Sequence, residues 1–345
     1  MEKELTLSNS PIKGYTIHAY PLSIALNEEK CKPWFYSNYI QLVCDPDYVE
    51  NFYDFNNLCS ILECDKWIDS IYPGIPWIRY NSIMVNQIHN YADKLCDIVK
   101  WIIDNNQYLV THLDDFFITY KEAYNVKHNF HDIMCFGYDD EKSIFKMLAY
   151  DSMGNFEKMD ISFKDFTKAY ESTQVNSDEP FYNPFKILSI DHDFSYDMDI
   201  NLIYKSLECL LKSKDNLIMR KTMRNINEKL VYGLDTYEVL AEYYSLKLDE
   251  RYDLRPLQIL WEHKKCMVMR LEYLSEIYKN SSFSDLKNEY LEVEKKALII
   301  KNLVLKFMIS NKEKTQQKAI LSLMSMKEME INLIKKFMNL IENLK

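Results

Sequence analysis

His131 and Asp151 are the residues whose types and spacing most directly suggest chemistry. His131 stands at the head of a short, mostly apolar run, residues 132–136, and Gly137 follows it directly. Residues 138–142 (Tyr-Asp-Asp-Glu-Lys) read as a polar hairpin turn, 143–150 as the return strand and Asp151-Ser152-Met153-Gly154 as its end. Antiparallel pairing brings the head of the first strand beside the tail of the second, so His131 is expected near Asp151. A carboxylate beside an imidazole orients it as a general base. The plainer readings are a structural histidine at a strand edge and an Asp-x-x-Gly turn. His128, three residues earlier, is the rival base and reads as part of the approaching loop.

A base of this kind needs a nucleophile, and Cys31 is the cysteine placed to supply one. Pro33 suits the first turn of a helix, where its missing N–H costs nothing, so Cys31 is expected at or just before a helix N-terminus. The positive end of the macrodipole favours a thiolate there. Otherwise Cys31 is a small buried hydrophobe. Cys135 follows the base in the same strand and faces the core; Cys59, Cys64 and Cys96 fall inside helical patterns, and Cys209 and Cys266 lie in the distal helices. An oxyanion site would take the Cys31 N–H and a side-chain donor, with Asn27 the nearest and Ser23 and Tyr20 as alternatives. Serine-hydrolase motifs, GxGxxG, a P-loop and HExxH are absent. The pair Cys59-x4-Cys64 has no second pair or histidine partner, so no metal is expected.

The elements that would position these groups follow from pattern. Residues 15–26, interrupted by His18 and Pro21, read as an entry strand and loop. Residues 47–106 read as mostly helical, with a break at 72–76 and a long amphipathic helix over 82–104 carried by Ile83, Ile88, Tyr91, Leu95, Ile98, Val99 and Ile102. Residues 107–113, 116–120 and 156–161 read as strands, and 162–170 as a short helix opened by a capping serine. The polar stretch 172–184, with two prolines, reads as a boundary, and 185–193 as a last strand. From 199 onward helices are expected over 199–213, 216–230, 235–247, 254–279, 283–309 and 313–344. The fold class is therefore α+β, helices and an antiparallel sheet, followed by an all-helical domain.

Composition narrows the partners. The net charge of −10 argues against nucleic acid. No run of about 18 apolar residues points to a membrane span, and no signal peptide is visible. With eight cysteines in no framework spacing, a reducing cytoplasm is expected.

A cysteine at a helix head, about a hundred residues, then His131-Asp-Ile-Met-Cys-Phe-Gly137-Tyr138-Asp139 and a strand ending in Asp151-x-x-Gly154 resembles the papain-like fold of C39-type peptidases. It is closer to the variant found in antibiotic biosynthesis, the N-terminal domain of butirosin-type acyltransferases, and within it to the amide-forming enzymes of polythioamide biosynthesis. Residues 106–114 (Asn-Gln-Tyr-Leu-Val-Thr-His-Leu-Asp) resemble that family's strand before the base. The likeness covers roughly residues 10–175. Two positions depart from it: Ala25 stands where papain-like enzymes usually carry a Gln, and Lys32-Pro33-Trp34-Phe35 follows the cysteine in place of small residues.

The resemblance implies a papain-like catalytic domain over 1–180 and a helical accessory domain over 185–345. It also implies acyl transfer from a carrier-protein thioester. Cys31 would attack the phosphopantetheine thioester and hold the acyl or peptidyl group. An amine acceptor would then release it as an amide, with His131 taking the proton and Asp151 orienting the ring. No bound cofactor is expected beyond the substrate's phosphopantetheine arm. An acidic carrier protein would need a local basic patch, for which Arg220, Lys221 and Arg224, and Lys264, Lys265 and Arg270, are the candidates. The alternatives are a non-catalytic papain-like module that binds a carrier protein or other partner, which the Ala25 departure favours, and a plain cysteine peptidase.

Overall fold

The computed structural model describes residues 1–47, 49, 53–55, 75–85, 91–175, 184–216, 229–246 and 252–344. The chain is a mixed α+β protein that divides into two compact units. The first comprises Met1–Ser10, Thr16–Glu28 and Asp69–Phe194; the second comprises Pro11–Tyr15, Glu29–Ile68 and Ser195–Lys345. The units interleave in sequence, whereas the expected division at 180/185 is a single cut. Residues 11–15 and 29–68, Cys31 among them, group with the C-terminal helices.

The first unit is built on a seven-stranded antiparallel sheet. Its strands are β1 (Glu2–Glu4), β4 (Ile78–Ile83), β5 (Tyr108–Asp114), β6 (Phe130–Asp139), β7 (Ile144–Tyr150), β8 (Phe156–Ser162) and β9 (Phe185–Ile190). The order is β4-β9-β5-β6-β7-β8, with β1 pairing to β6. The β6–β7 hairpin is the one its apolar run, polar turn and return run call for. It carries a bulge between Cys135 and Gly137. Beside that bulge β1 runs so close that a Cβ on Gly137 would lie 2.7 Å from the Lys3 carbonyl, which explains the glycine. Helices α3 (Tyr91–Asp104) and α4 (Phe163–Val175) pack on the sheet at β5.

Several elements differ from expectation, among them strand β3 (Tyr53–Phe55) in the stretch read as mostly helical. Residues 78–83 are strand β4, paired over six residues with β9, so the helix expected from 82 is described only from Tyr91. Residues 116–120 are not a strand: the Asp114 carboxylate accepts from the Phe116 N–H at 3.1 Å and turns the chain into a short 3-10 turn, Asp115–Phe117. Residues 16–25 form helix α1 (Thr16–Ala25), with Pro21 inside it. Every residue from His18 to Ala25 is buried, so the helix is closed in on all sides and shows no polar face for a period to reveal.

The second unit is mostly helical. It contains α2 (Lys32–Ser37), α5 (Ile200–Leu211), α6 (Thr236–Tyr243), α7 (Arg255–Tyr278), α8 (Ser281–Ser310) and α9 (Glu313–Glu342). A small antiparallel sheet joins β2 (Leu42–Cys44), β3 (Tyr53–Phe55) and β10 (Val231–Tyr232). The long helices α7, α8 and α9 pack in succession. The turn between α8 and α9 is closed by Asn311 in the left-handed region (φ 50°), its N–H reaching the Phe307 carbonyl at 2.7 Å. The expected helix over 216–230 lies almost wholly outside the described residues, as does the Cys59–Cys64 pair.

Candidate functional site

Three histidines of the first unit, His112, His128 and His131, lie with Asp114 and Asp132 where β5 ends and β6 begins. Asp114, the last residue of β5, is fully buried. It accepts from His128 Nδ1 at 2.5 Å, Ser172 Oγ at 2.6 Å and the N–H groups of Phe116 and Asn129 at 3.1 Å each. Burial alone would push its carboxyl up, but the donors from Ser172, His128, Phe116 and Asn129 outweigh it and hold the group below the ordinary aspartate range. The His128 side chain is 49% exposed, and its ring stacks on Phe116 at 4.8 Å between centroids. An ionised, buried carboxylate thus fixes a half-exposed imidazole in one orientation.

A second pair lies one step along the ladder. His112 and Asp132 are cross-strand partners, with Nε2 and Oδ1 3.2 Å apart. Asp132 also meets helix α1. Thr16, the first residue of that helix, lies within hydrogen-bond reach of Asp132 Oδ2 (3.4 Å), and the Tyr20 hydroxyl donates to the Asp132 carbonyl at 2.9 Å. The N-terminal end of α1 therefore abuts the strand that carries His131. Its first four residues are Thr16, Ile17, His18 and Ala19.

His131 and Asp151, the expected pair, are each engaged elsewhere. His131 Nδ1 donates to the Asp132 carbonyl at 3.1 Å, and its ring stands edge-on to Tyr150. Asp151 accepts from the N–H groups of Met153 (2.8 Å) and Asn155 (2.7 Å) and from Asn155 Nδ2 (3.0 Å). Those bonds, led by the Asn155 side chain, hold its carboxyl below the ordinary range. This is turn chemistry. The β6–β7 ladder ends at Met134–Leu148, three residues short of both groups, and His131 makes no hydrogen bond or ion pair with Asp151. Nearby, Lys121 and Asp115 form a buried ion pair at 3.6 Å.

Cys31 belongs to the second unit. It immediately precedes α2, a helix of only six residues, with Pro33 in its first turn, and its exposure is 0%. Other described thiols are driven toward the protonated form: burial pushes Cys44 and Cys266 up to about 12 and raises Cys96, Cys135 and Cys209 as well. Asn27, the suggested oxyanion donor, belongs to the first unit and gives its amide to the carbonyls of Thr6, Ser23 and Ile24. It closes the end of α1 instead.

The suggested docking cations divide three ways. Arg220, Lys221 and Arg224 lie outside the described residues. Lys264 and Arg270 are fully buried and serve the core of the second unit, not a surface. Lys264 Nζ contacts both Glu330 oxygens at 2.8 and 2.7 Å and donates to His263 Nδ1 at 2.9 Å, while the Tyr237 and Tyr290 hydroxyls also bond Glu330. Arg270 donates to the carbonyls of Tyr36 and Tyr39 at 2.6 and 2.8 Å, and burial lowers its guanidinium to about 10. Lys265 is half-buried, its amine 5.9 Å from the Trp261 ring.

The pairs that sequence reasoning missed are His128–Asp114 and His112–Asp132. A signal for the first existed in His128 itself and in Asp114 at the head of a turn, but their bond depends on how the loop 115–129 closes. The second follows once β5 and β6 are placed in register. Among the described residues no group of histidines, cysteines and carboxylates is arranged to hold a metal. Compared with known proteins, the chain matches no family model and no curated sequence.

Proposed function

We propose that this chain is a non-catalytic partner-binding protein, in which a papain-like α+β domain is retained without its thiol chemistry. The observation that carries this reading is at the head of α1. A thiol–imidazole enzyme needs a cysteine at a helix N-terminus facing a histidine of the sheet. Helix α1 begins against the His131–Asp132 end of β6, and its first turn, Thr16-Ile17-His18-Ala19, has no cysteine. The burial of Cys31, its place before a six-residue helix and the commitment of Asp151 to its own turn support the same conclusion. The resemblance to carrier-dependent acyltransferases makes an acyl or peptidyl carrier protein the first partner to test. Calorimetric titration of the full chain with a phosphopantetheinylated carrier protein should give saturable binding, with no acyl group left on the chain when the carrier is acylated. An acyl-enzyme on the native protein would overturn the reading.

A second reading rests on His128–Asp114. An oriented, half-exposed imidazole on an ionised carboxylate can serve as a general base without a protein nucleophile, activating an amine or water against a thioester. Thioester turnover by the native chain that is lost in His128→Gln, and that follows ionisation of a single imidazole in its pH profile, would favour it.

A further inference from the structure

We infer that the hairpin of α8 and α9 carries a binding site for a phosphate-bearing ligand. From residue 295 to 318 the chain has lysines at 295, 296, 301, 306, 312, 314 and 318 and a single acidic residue, Glu313. In a molecule of net charge −10 this is a concentrated reversal of sign. Three of these lysines, Lys296, Lys314 and Lys318, line one groove of about 510 Å³ together with Ser322, Ser325 and Leu321.

Lysines of the hairpin fall into two groups: some have carboxylate partners, and others, Lys301, Lys306 and Lys312 as well as those of the groove, have none among the described residues. Elsewhere on the hairpin Lys287 is bonded to Glu272, Lys295 to Glu292, Lys327 to Glu238 and Lys336 to Glu289. Among the described residues Lys296, Lys314 and Lys318 have no carboxylate within ion-pair distance; Lys296 reaches only Ser325 Oγ at 2.7 Å and the Met329 sulfur at 3.6 Å. Like charges gathered without counter-charges repel, and an anion in the groove relieves that repulsion.

The lining chemistry narrows the anion. Three ammonium groups and two hydroxyls offer donors in several directions, which suits a tetrahedral phosphate. The planar fork that matches a carboxylate would be arginine, and none lines the groove. The space exceeds a bare phosphate, and Leu321, 71% exposed, offers apolar contact to the rest of an organic phosphoester. Such a phosphate could belong to a soluble molecule or to a lipid headgroup.

The test is calorimetric titration of the full chain with pyrophosphate, alongside co-sedimentation with vesicles containing about 30% phosphatidylglycerol and with pure phosphatidylcholine vesicles. Each is repeated on the double variant Lys314→Gln, Lys318→Gln and on Lys287→Gln, which removes a paired lysine of the same hairpin. Pyrophosphate should bind the native chain, about tenfold or more weakly in the double variant, and within about twofold of native in Lys287→Gln. Pyrophosphate binding without retention on anionic vesicles identifies a soluble ligand; retention on anionic vesicles that the double variant loses identifies a headgroup. Binding of neither, or equal binding by the native chain and the double variant, overturns the assignment.

Discussion

At Asp114, four donors converge on one buried carboxylate, so its ionised form is part of the folded state. Its folded pKa lies below the ordinary value of 3.8. The stability it contributes is therefore complete above that value and is lost as pH falls through the lower folded one. Replacing it by Asn removes the charge and leaves donors facing an amide, at a cost of about 2 kcal/mol near neutral pH. Urea denaturation of the native chain and Asp114→Asn should show that gap steady above about pH 5 and narrowing as pH falls below about 4; a gap constant throughout would mean that the carboxylate charge is not what matters. At this scale the sequence was partly legible. His131, Asp151 and Cys31 could be picked out by type and spacing, and Cys31 does precede a helix. Which groups meet was not legible, because Asp-x-x-Gly suits a hairpin's last turn as well as a catalytic carboxylate, and only the bonds to Met153 and Asn155 reveal which use is made of Asp151.

Among the elements, β6 is held on one side by β1 at the cost of a side chain at position 137. A Cβ there would sit 2.7 Å from the Lys3 carbonyl and 3.1 Å from the Glu4 Cα, both backbone atoms that cannot swing aside. Gly137→Ala should destabilise the chain by about 1–3 kcal/mol. In a chain lacking residues 1–4 the same substitution should cost clearly less; an equal cost in both would place the strain elsewhere. Between α7 and α9, Lys264 and Glu330 form an ion pair with 0% exposure on both side chains, and the Tyr237 and Tyr290 hydroxyls complete the carboxylate's partners. Glu330→Gln leaves an ammonium buried without counter-charge and should cost about 3–5 kcal/mol in chemical denaturation, whereas Lys264→Met with Glu330→Leu should recover most of it. A double variant as unstable as the single one would contradict this. The β6–β7 hairpin and the long helices were legible because an apolar run broken by a polar turn and a 3.6-residue period are local signals. Helix α1 was not, since a stretch buried on every side has no period, and β4 was not, since its strand character comes from pairing with β9 about a hundred residues away.

For the whole molecule, the α+β class with an all-helical C-terminal region was readable from the order of patterns. The interleaving of the units was not, because residues 11–15 and 29–68 carry no signal of the helices with which they group. Charge acts at this scale too. The chain is acidic overall, yet residues 295–318 of the α8–α9 hairpin collect lysines, so anionic partners would be drawn to that region. Among the described residues no helix is long and apolar enough to cross a membrane. In the proposed reading the chain has no working thiol chemistry, so the buried Cys31 would have to be unreactive in the folded protein. That claim is tested most directly by intact-mass measurement of the folded protein after incubation with an acylated phosphopantetheine thioester, and separately with iodoacetamide, with Cys31→Ala alongside. The account predicts no acyl adduct and a Cys31 that is alkylated only once denaturant is added. An acyl adduct on the native protein that Cys31→Ala lacks would contradict it.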